Sequence, residues 1–273
     1  MTENTAGYSK LKGDQSIEDL LSEAIKTWWL FPLLVFIGGF GGFIFHKLNP
    51  PIYEARAQFS LSLDVTKTGT MTQYEEDIAL NTAGHLIAAP IILEQTSREA
   101  ASRGILIEPA DLKKIGVLER RITLWDLRVR HPDAVIAAEL ANIWAGFGEQ
   151  LLRESYVHAV EAQRIDRYIL ALESCLSQVV MTQPISAQCQ QRSLPEIQRE
   201  MAVWGQIFLQ ERSAAKGAHA GLIIGPVKLA EIPSTPVQYD RNQVVFGGGL
   251  IGMVAALFLI QIRVTKGRSQ RDG

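Results

Sequence analysis

Residues 27–45 read TWWLFPLLVFIGGFGGFIF, and residues 244–262 read VVFGGGLIGMVAALFLIQI. The first run carries no charge between Lys26 and His46, and the second none before Arg263. Each has 19 residues, close to the roughly 20 that take a helix across about 30 Å of hydrocarbon. A core helix of that length normally carries charge along one face. Neither run does, so both read as transmembrane helices. A cleaved leader is a poor fit for the first, because its apolar stretch is too long and the small-residue triplet Ala55-Arg56-Ala57 lies well past its end.

Orientation follows from the flanks. After the second run come Arg263, Lys266, Arg268 and Arg271 against Asp272, and positive charge beside a span favours the cytoplasm. Two spans then return the N-terminus to the same side. The organisation expected is a cytoplasmic tail over 1–26, a span over 27–45, an extracytoplasmic domain over 46–243, a span over 244–262 and a cytoplasmic tail over 263–273. Pro233 and Pro236 in AEIPSTPVQYD (residues 230–240) therefore lie outside. There, a docking motif for a cytoplasmic SH3-like domain has no partner. A stiff extended spacer before the second span is the better reading, since proline lacks a backbone donor and fixes φ. Gly38 and Gly42 in the first span, and Gly248 and Gly252 in the second, stand four apart. That spacing permits close helix packing, within a chain or between chains.

The external region is long enough for one core. Residues 53–65 (YEARAQFSLSLDV) alternate as a strand would, and residues 121–130 (RITLWDLRVR) do so with Ile122, Leu124, Leu127 and Val129 as the apolar set. Residues 221–232 form a third β-branched run. Residues 81–104 and 109–121 are helical in character, with Asn81 and Glu108 near the starts and Gly104 suited to a C-terminal cap. Three strands separated by helices imply an α/β base.

From Pro132 to about Met181 nothing breaks a helix, which would reach roughly 75 Å. Its distal half carries Ile165, Ile169, Leu172, Leu176 and Val179, spaced four, three, four and three. Past a turn region holding Pro184, with Ser193 and Glu196 placed for a capping box, Ile197, Met201, Trp204 and Phe208 repeat the spacing. The two seams read as an antiparallel helical hairpin over about 132–216, projecting from the base. The alternative is two ordinary amphipathic helices folded onto it. Cys175 and Cys189 bracket the turn in an oxidising compartment, where such a pair either bridges or stays as two thiols. The fold class expected is thus an α+β membrane protein: two spans flanking an extracytoplasmic α/β base with a long protruding hairpin.

Catalytic signatures are missing. The 273 residues have a formal net charge of −2, which gives no basic footprint for nucleic acid. There is no P-loop, no HExxH and no GxSxG, and the five histidines are scattered. Pairs such as Glu75 and Glu76 read as solvated surface. No catalytic residue, cofactor site or metal site is assigned, and an enzyme is not expected.

Three stretches carry a likeness to a known family. SIEDLLSEAIKTWWLF leads to NPPIYEARAQFSLS, with a proline-tyrosine-glutamate-alanine strand start at residues 51–55; ITLWDLRVRHPDAVIAAELANIWAGFGEQLL holds Pro132, Ala137, Ala138 and Asn142; LAEIPSTPVQ holds Pro233 and Pro236. In this order they resemble the Wzz-type chain-length determinants, the polysaccharide co-polymerases. The resemblance implies a non-enzymatic homo-oligomer of the bacterial inner membrane that sets the length of O-antigen or exopolysaccharide made by a partner polymerase. The hairpin is short for the O-antigen branch, and no cytoplasmic kinase domain is fused as in the exopolysaccharide branch. A membrane adaptor that docks a separate tyrosine kinase on its basic tail is the alternative. A periplasmic ligand sensor is a third class, but neither tail is long enough to be its output domain.

Overall fold

The computed structural model describes residues 28–64, 66, 69–181, 189 and 193–269, with side chains described as far as 262. Residues 1–27, which include Thr27 of the expected first span, and Pro184 of the expected turn lie outside that set. In chain order the elements are α1 (Leu30–Leu48), β1 (Tyr53–Leu63), α2 (Gln73–Ile87), α3 (Pro90–Ser102), α4 (Pro109–Ile115), β2 (Gly116–Arg121), β3 (Leu124–His131), α5 (Ala134–Val180), α6 (Leu194–Ala214), β4 (Leu222–Ile224) and α7 (Arg241–Ser269). They form two compact units, residues 1–51 with 235–273, and residues 52–234.

In the first unit α1 and α7 pack on each other. Both are long and apolar enough to cross a membrane, over Leu30–Leu48 and Arg241–Ile262. Pro32 falls in the first turn of α1, where its missing N–H has no intrahelical partner to lose. The helix of the second candidate span continues to Ser269.

The second unit is built on a four-stranded sheet of order β2-β3-β1-β4. All its pairings are antiparallel, with Ala57 opposite Leu127 and Phe59 opposite Trp125 across β1 and β3. The chain therefore does not wind through parallel βαβ units; helices gather on one face of an antiparallel sheet in which β1 lies between β3 and β4. Alternation along β1 turns Ala55, Ala57, Phe59 and Leu61 into the core, where they meet Leu127 and Val129 of β3. Burial of each large apolar side chain there contributes about 1.5–3 kcal/mol.

Several sequence expectations give way here. The apolar set of β3 is Trp125, Leu127 and Val129, whereas Ile122 is 88% exposed and Leu124 is 39% exposed. A strand has a period of two, so Leu124 and Leu127 cannot share a face. Ile122 sits instead in the two-residue turn between β2 and β3, at φ +45°.

Residues 109–121 are not one helix. The chain leaves α4 at Ile115 and enters β2, whose inward Leu118 lies opposite Leu127. Gly116 allows this by passing under the Trp144 ring, which a Cβ would strike. Nor are residues 81–104 one helix. The first turn begins at Thr72, whose capping box with Glu75 closes through Thr72 N–H to Oε2 at 2.8 Å and Glu75 N–H to Oγ1 at 3.3 Å. Asn81 is mid-helix. The break comes at Ala89, which Pro90 holds extended at ψ 144°. Gly104 does follow the end of α3, at φ +85°. The third strand shrinks to three residues, because Gly225 lies against Ser60 and Pro226 has no donor to give the ladder. Pairing resumes only at the isolated Gln58–Lys228 bridge.

Helix α5 runs for 47 residues, about 70 Å at 1.5 Å per residue. The Asp133 carboxylate caps it, accepting from Val135 N–H at 2.7 Å and Ile136 N–H at 3.2 Å. Its first half, from Ala137 to Leu152, is part of the main core. Its distal half meets α6 and forms a separate small cluster of Leu172, Cys175, Cys189 and Ile197. A third cluster, of Ala159, Ala215 and Ala220, lies between them along the helix, and this succession of separate cores makes the hairpin a projection from the sheet layer.

Candidate functional site: the span pair and the stapled hairpin

The α1–α7 contact is made by backbone. A methyl on Gly38 would fall inside the radius of the Gly248 carbonyl oxygen, and one on Gly248 would do the same to Gly38. One on Gly42 would lie 2.5 Å from Val244 O, and one on Gly252 would overlap Leu34 O. All four glycines singled out in the sequence therefore meet within a single chain. Inside a bilayer, where no water competes, such a surface would gain dispersion and weak Cα–H···O contacts. At one end of the pair, the His46 ring nitrogen Nδ1 is 2.9 Å from Tyr239 O, so the ring donates to that carbonyl. Tyr239 stacks edge-on to Phe45, with ring centroids 5.9 Å apart.

The hairpin is held by a mixture of apolar and polar bonds. Ile165 and Leu172 are buried, and Ile169, Leu176 and Val179 are half-buried. On α6 only Ile197 is buried, with Met201, Trp204 and Phe208 half-covered. Tyr168 donates to Glu200 at 2.8 Å and packs its ring against Trp204. His158 Nδ1 donates to Glu211 at 2.6 Å nearer the base. At the tip, Cys175 and Cys189 form a disulfide with Cα atoms 5.4 Å apart. Ser193 begins α6 with both its N–H and its hydroxyl donating to Glu196 at 2.8 Å.

Between Ile224 and Arg241 the chain forms no helix, and both Pro233 and Pro236 lie in that stretch. Its start is fixed by a residue whose role spacing alone did not show. Asn142 of α5 donates through Nδ2 to Ala230 O at 3.1 Å, and its Oδ1 accepts from Ala230 N–H at 2.7 Å. The amide acts as a one-residue strand partner, three positions before Pro233.

A second feature escaped the sequence reading: an ion network on the outer face of the sheet. Asp126 is fully buried, accepting from Gln58 Nε2 at 2.8 Å, with Arg121 Nε at 3.2 Å and Arg56 at 3.6 Å. Beside it, Glu54 takes Arg130 Nε at 2.9 Å and Arg56 at 3.4 Å, with Arg128 at 3.7 Å. Desolvation alone would raise the Glu54 carboxyl. The Arg130 hydrogen bond, the Arg128 charge and the Arg56 hydrogen bond outweigh it and hold the group below the ordinary carboxylate range. The available signal was the alternation itself, which placed five charged residues, Glu54, Arg56, Asp126, Arg128 and Arg130, on one face of β1 and β3. Among the described residues no three His, Cys, Asp or Glu side chains gather to hold a metal.

No family model matches the chain, and no curated protein does. Among solved structures it is similar to a full-length bacterial polysaccharide co-polymerase, at 10% identity and a TM-score of 0.39, over 93% of this chain and 99% of that one.

Proposed function

We propose that this protein is a non-enzymatic scaffold of the bacterial inner membrane. It assembles with copies of itself and sets the length of a surface polysaccharide, O-antigen or exopolysaccharide, extended by a partner polymerase. The observation that carries the reading is the hairpin. A 47-residue helix is stapled at its tip, yet α6 has one buried side chain and leaves Val203 and Leu209 57% and 65% exposed, while α5 exposes Val157 and Leu170. A rod with apolar side chains uncovered in a single chain is suited to packing against its own copies. The tight pairing of the terminal helices supports a two-helix membrane anchor. The three sequence stretches resembling the co-polymerases supply the glycan. In this reading both termini are cytoplasmic, residues 46–243 are periplasmic, and Pro233 with Pro236 form a stiff spacer before the second span.

Deleting the gene and running the surface glycan on a gel tests this. The modal length should shift while some polymer remains, and an unchanged length distribution would refute it. The second reading, docking of a cytoplasmic tyrosine kinase on residues 263–273, is supported by the continuation of α7 to Ser269. Removing residues 266–273 should then lower kinase phosphorylation; unaltered phosphorylation and glycan output would eliminate it.

A further inference from the structure

On one side of the α1–α7 contact lies an open groove of about 520 Å³ whose lining is apolar throughout. Gly39 and Gly249 form its floor, and Phe36, Phe40, Phe246 and Met253 stand along its walls. These glycines are not the ones that join the helices. A methyl on Gly39 would come no closer than 3.8 Å to Val245, and one on Gly249 no closer than 3.7 Å to Val35. The small floor is thus not required by the pairing, and it leaves room above itself.

The groove is continued by sequence in one direction. Phe36, Phe40, Phe43 and Lys47 recur four, three and four apart on α1, so they share a face. Arg241, Val245, Gly249 and Met253 recur every four residues on α7. The two stripes run antiparallel and end together in cations: Lys47 Nζ lies 6.0 Å from the centre of the Phe43 ring, and Arg241 Cζ lies 5.8 Å from the same ring. Both cations are exposed, and neither makes an ion pair among the described residues. The nearby Asp240 carboxylate is turned to its own helix, accepting from Asn242 N–H at 2.8 Å and Gln243 N–H at 3.3 Å.

We infer that this face binds an anionic phospholipid, with one acyl chain in the groove and the phosphate between Lys47 and Arg241. Length selects the occupant. From Phe36 to Lys47 is eleven residues, about 16 Å along a helix, or half of the roughly 30 Å hydrocarbon thickness. An acyl chain of one leaflet fits that run from headgroup level to midplane. Charge selects the headgroup, because a cation pair at the membrane surface favours a net negative lipid over a zwitterionic one. The inference rests on the membrane-spanning part of the proposed function and on nothing in its glycan part.

The full-length protein is reconstituted in vesicles carrying trace photoreactive phosphatidylglycerol or phosphatidylcholine of matched chains, and adducts are mapped by mass spectrometry. Phosphatidylglycerol adducts should fall on residues 36–47 and 241–253 and exceed those of phosphatidylcholine by about tenfold. Lys47→Gln with Arg241→Gln should abolish the headgroup preference. Gly39→Leu, whose Cβ would meet Val245 at an ordinary van der Waals distance of 3.8 Å, should fill the floor and reduce adducts of both lipids. Equal labelling by the two lipids in the unaltered protein, or labelling indifferent to Gly39→Leu, overturns the inference. So does cross-linking of two copies through this face by an added bifunctional reagent, which would identify a second chain as the occupant. Extraction at alkaline pH reports separately on insertion, and the glycan gel reports separately on function.

Discussion

The Asn142–Ala230 pair is the sharpest mechanical claim in the structure. Replacing Asn142 with alanine removes two hydrogen bonds, at 3.1 and 2.7 Å, and leaves both backbone groups of Ala230 without their partner in a residue only 8% exposed. Each lost bond is worth about 0.5–1.5 kcal/mol, and more where the abandoned group stays dry. Partial access of water to the segment limits the second effect, so the total should be about 2–3 kcal/mol. For a unit of this size that is a fall in melting temperature of about 5–10 °C. The assay is thermal unfolding of the full-length protein in detergent, with hydrogen exchange across residues 226–232. Exchange at Ala230 should accelerate by about 30-fold or more, while amides of β1 and β3 lose no more protection than the fall in global stability accounts for. Asn142→Asp is the informative companion. It keeps an acceptor for Ala230 N–H but sets a carboxylate oxygen against Ala230 O, so it should fail nearly as badly as alanine. A melting temperature within 1 °C of the parent, with unchanged exchange at Ala230, would show that the pair does not hold the segment.

Three further outcomes are expected. Replacing Cys175 and Cys189 with serine opens a loop with a sequence separation of 14, for which the chain-entropy model gives about 3 kcal/mol; protease sensitivity should rise at the tip around residues 181–193 while the sheet layer, whose core is separate, keeps its resistance. Gly38→Leu or Gly248→Leu should force α1 and α7 apart, abolishing engineered cysteine cross-links between them, whereas Gly41→Leu should leave the cross-links intact, since nothing lies within 4 Å of a Cβ there. Because the folded Glu54 carboxyl is held below its ordinary range, the stability it contributes is complete above about pH 4.5 and is lost as pH falls through the lowered value; melting temperatures measured from pH 7 to pH 3 should drop less steeply in Glu54→Gln than in the parent.

Elements whose pattern is set by one dominant force were readable in the sequence. The terminal helices are legible from uninterrupted apolar length, α5 and α6 from a periodicity long enough to outweigh local accidents, and β1 from alternation without exception over the residues that line the core. Where two signals compete, position in the fold decides. Residues 116–121 have no strong strand composition, and β2 exists because Leu118 can be buried against β3 while Gly116 slips under Trp144. Leu124 looked inward from its chemistry but faces outward because Trp125 takes the core side, its ring filling the space left by Gly84. Asn142 carried a family likeness without a mechanism, since its partner is 88 residues away. Ion pairs across strands, such as Arg130 with Glu54, depend on register, which no single strand specifies.

The same distinction bears on where function can reside. Within one chain Gly38, Gly42, Gly248 and Gly252 all meet the facing helix, and the main core packs the sheet against helices. The hairpin is different: its two helices share a seam of which α6 buries only Ile197 completely. Tyr168, His158 and the disulfide fix the geometry of the pair by directional bonds where apolar area is scarce. Those bonds hold the rod in shape without covering it. Among the described residues Val203 and Leu209 stay 57% and 65% exposed, and under the proposed function a neighbouring copy would cover them. Charged replacements at these two exposed positions should leave the melting temperature of the solubilised single chain nearly unchanged, within about 0.5 kcal/mol. They should nonetheless reduce the assembled fraction seen by cross-linking in the membrane. Loss of stability without loss of assembly would place these side chains in the fold of one chain and remove the hairpin from the interface.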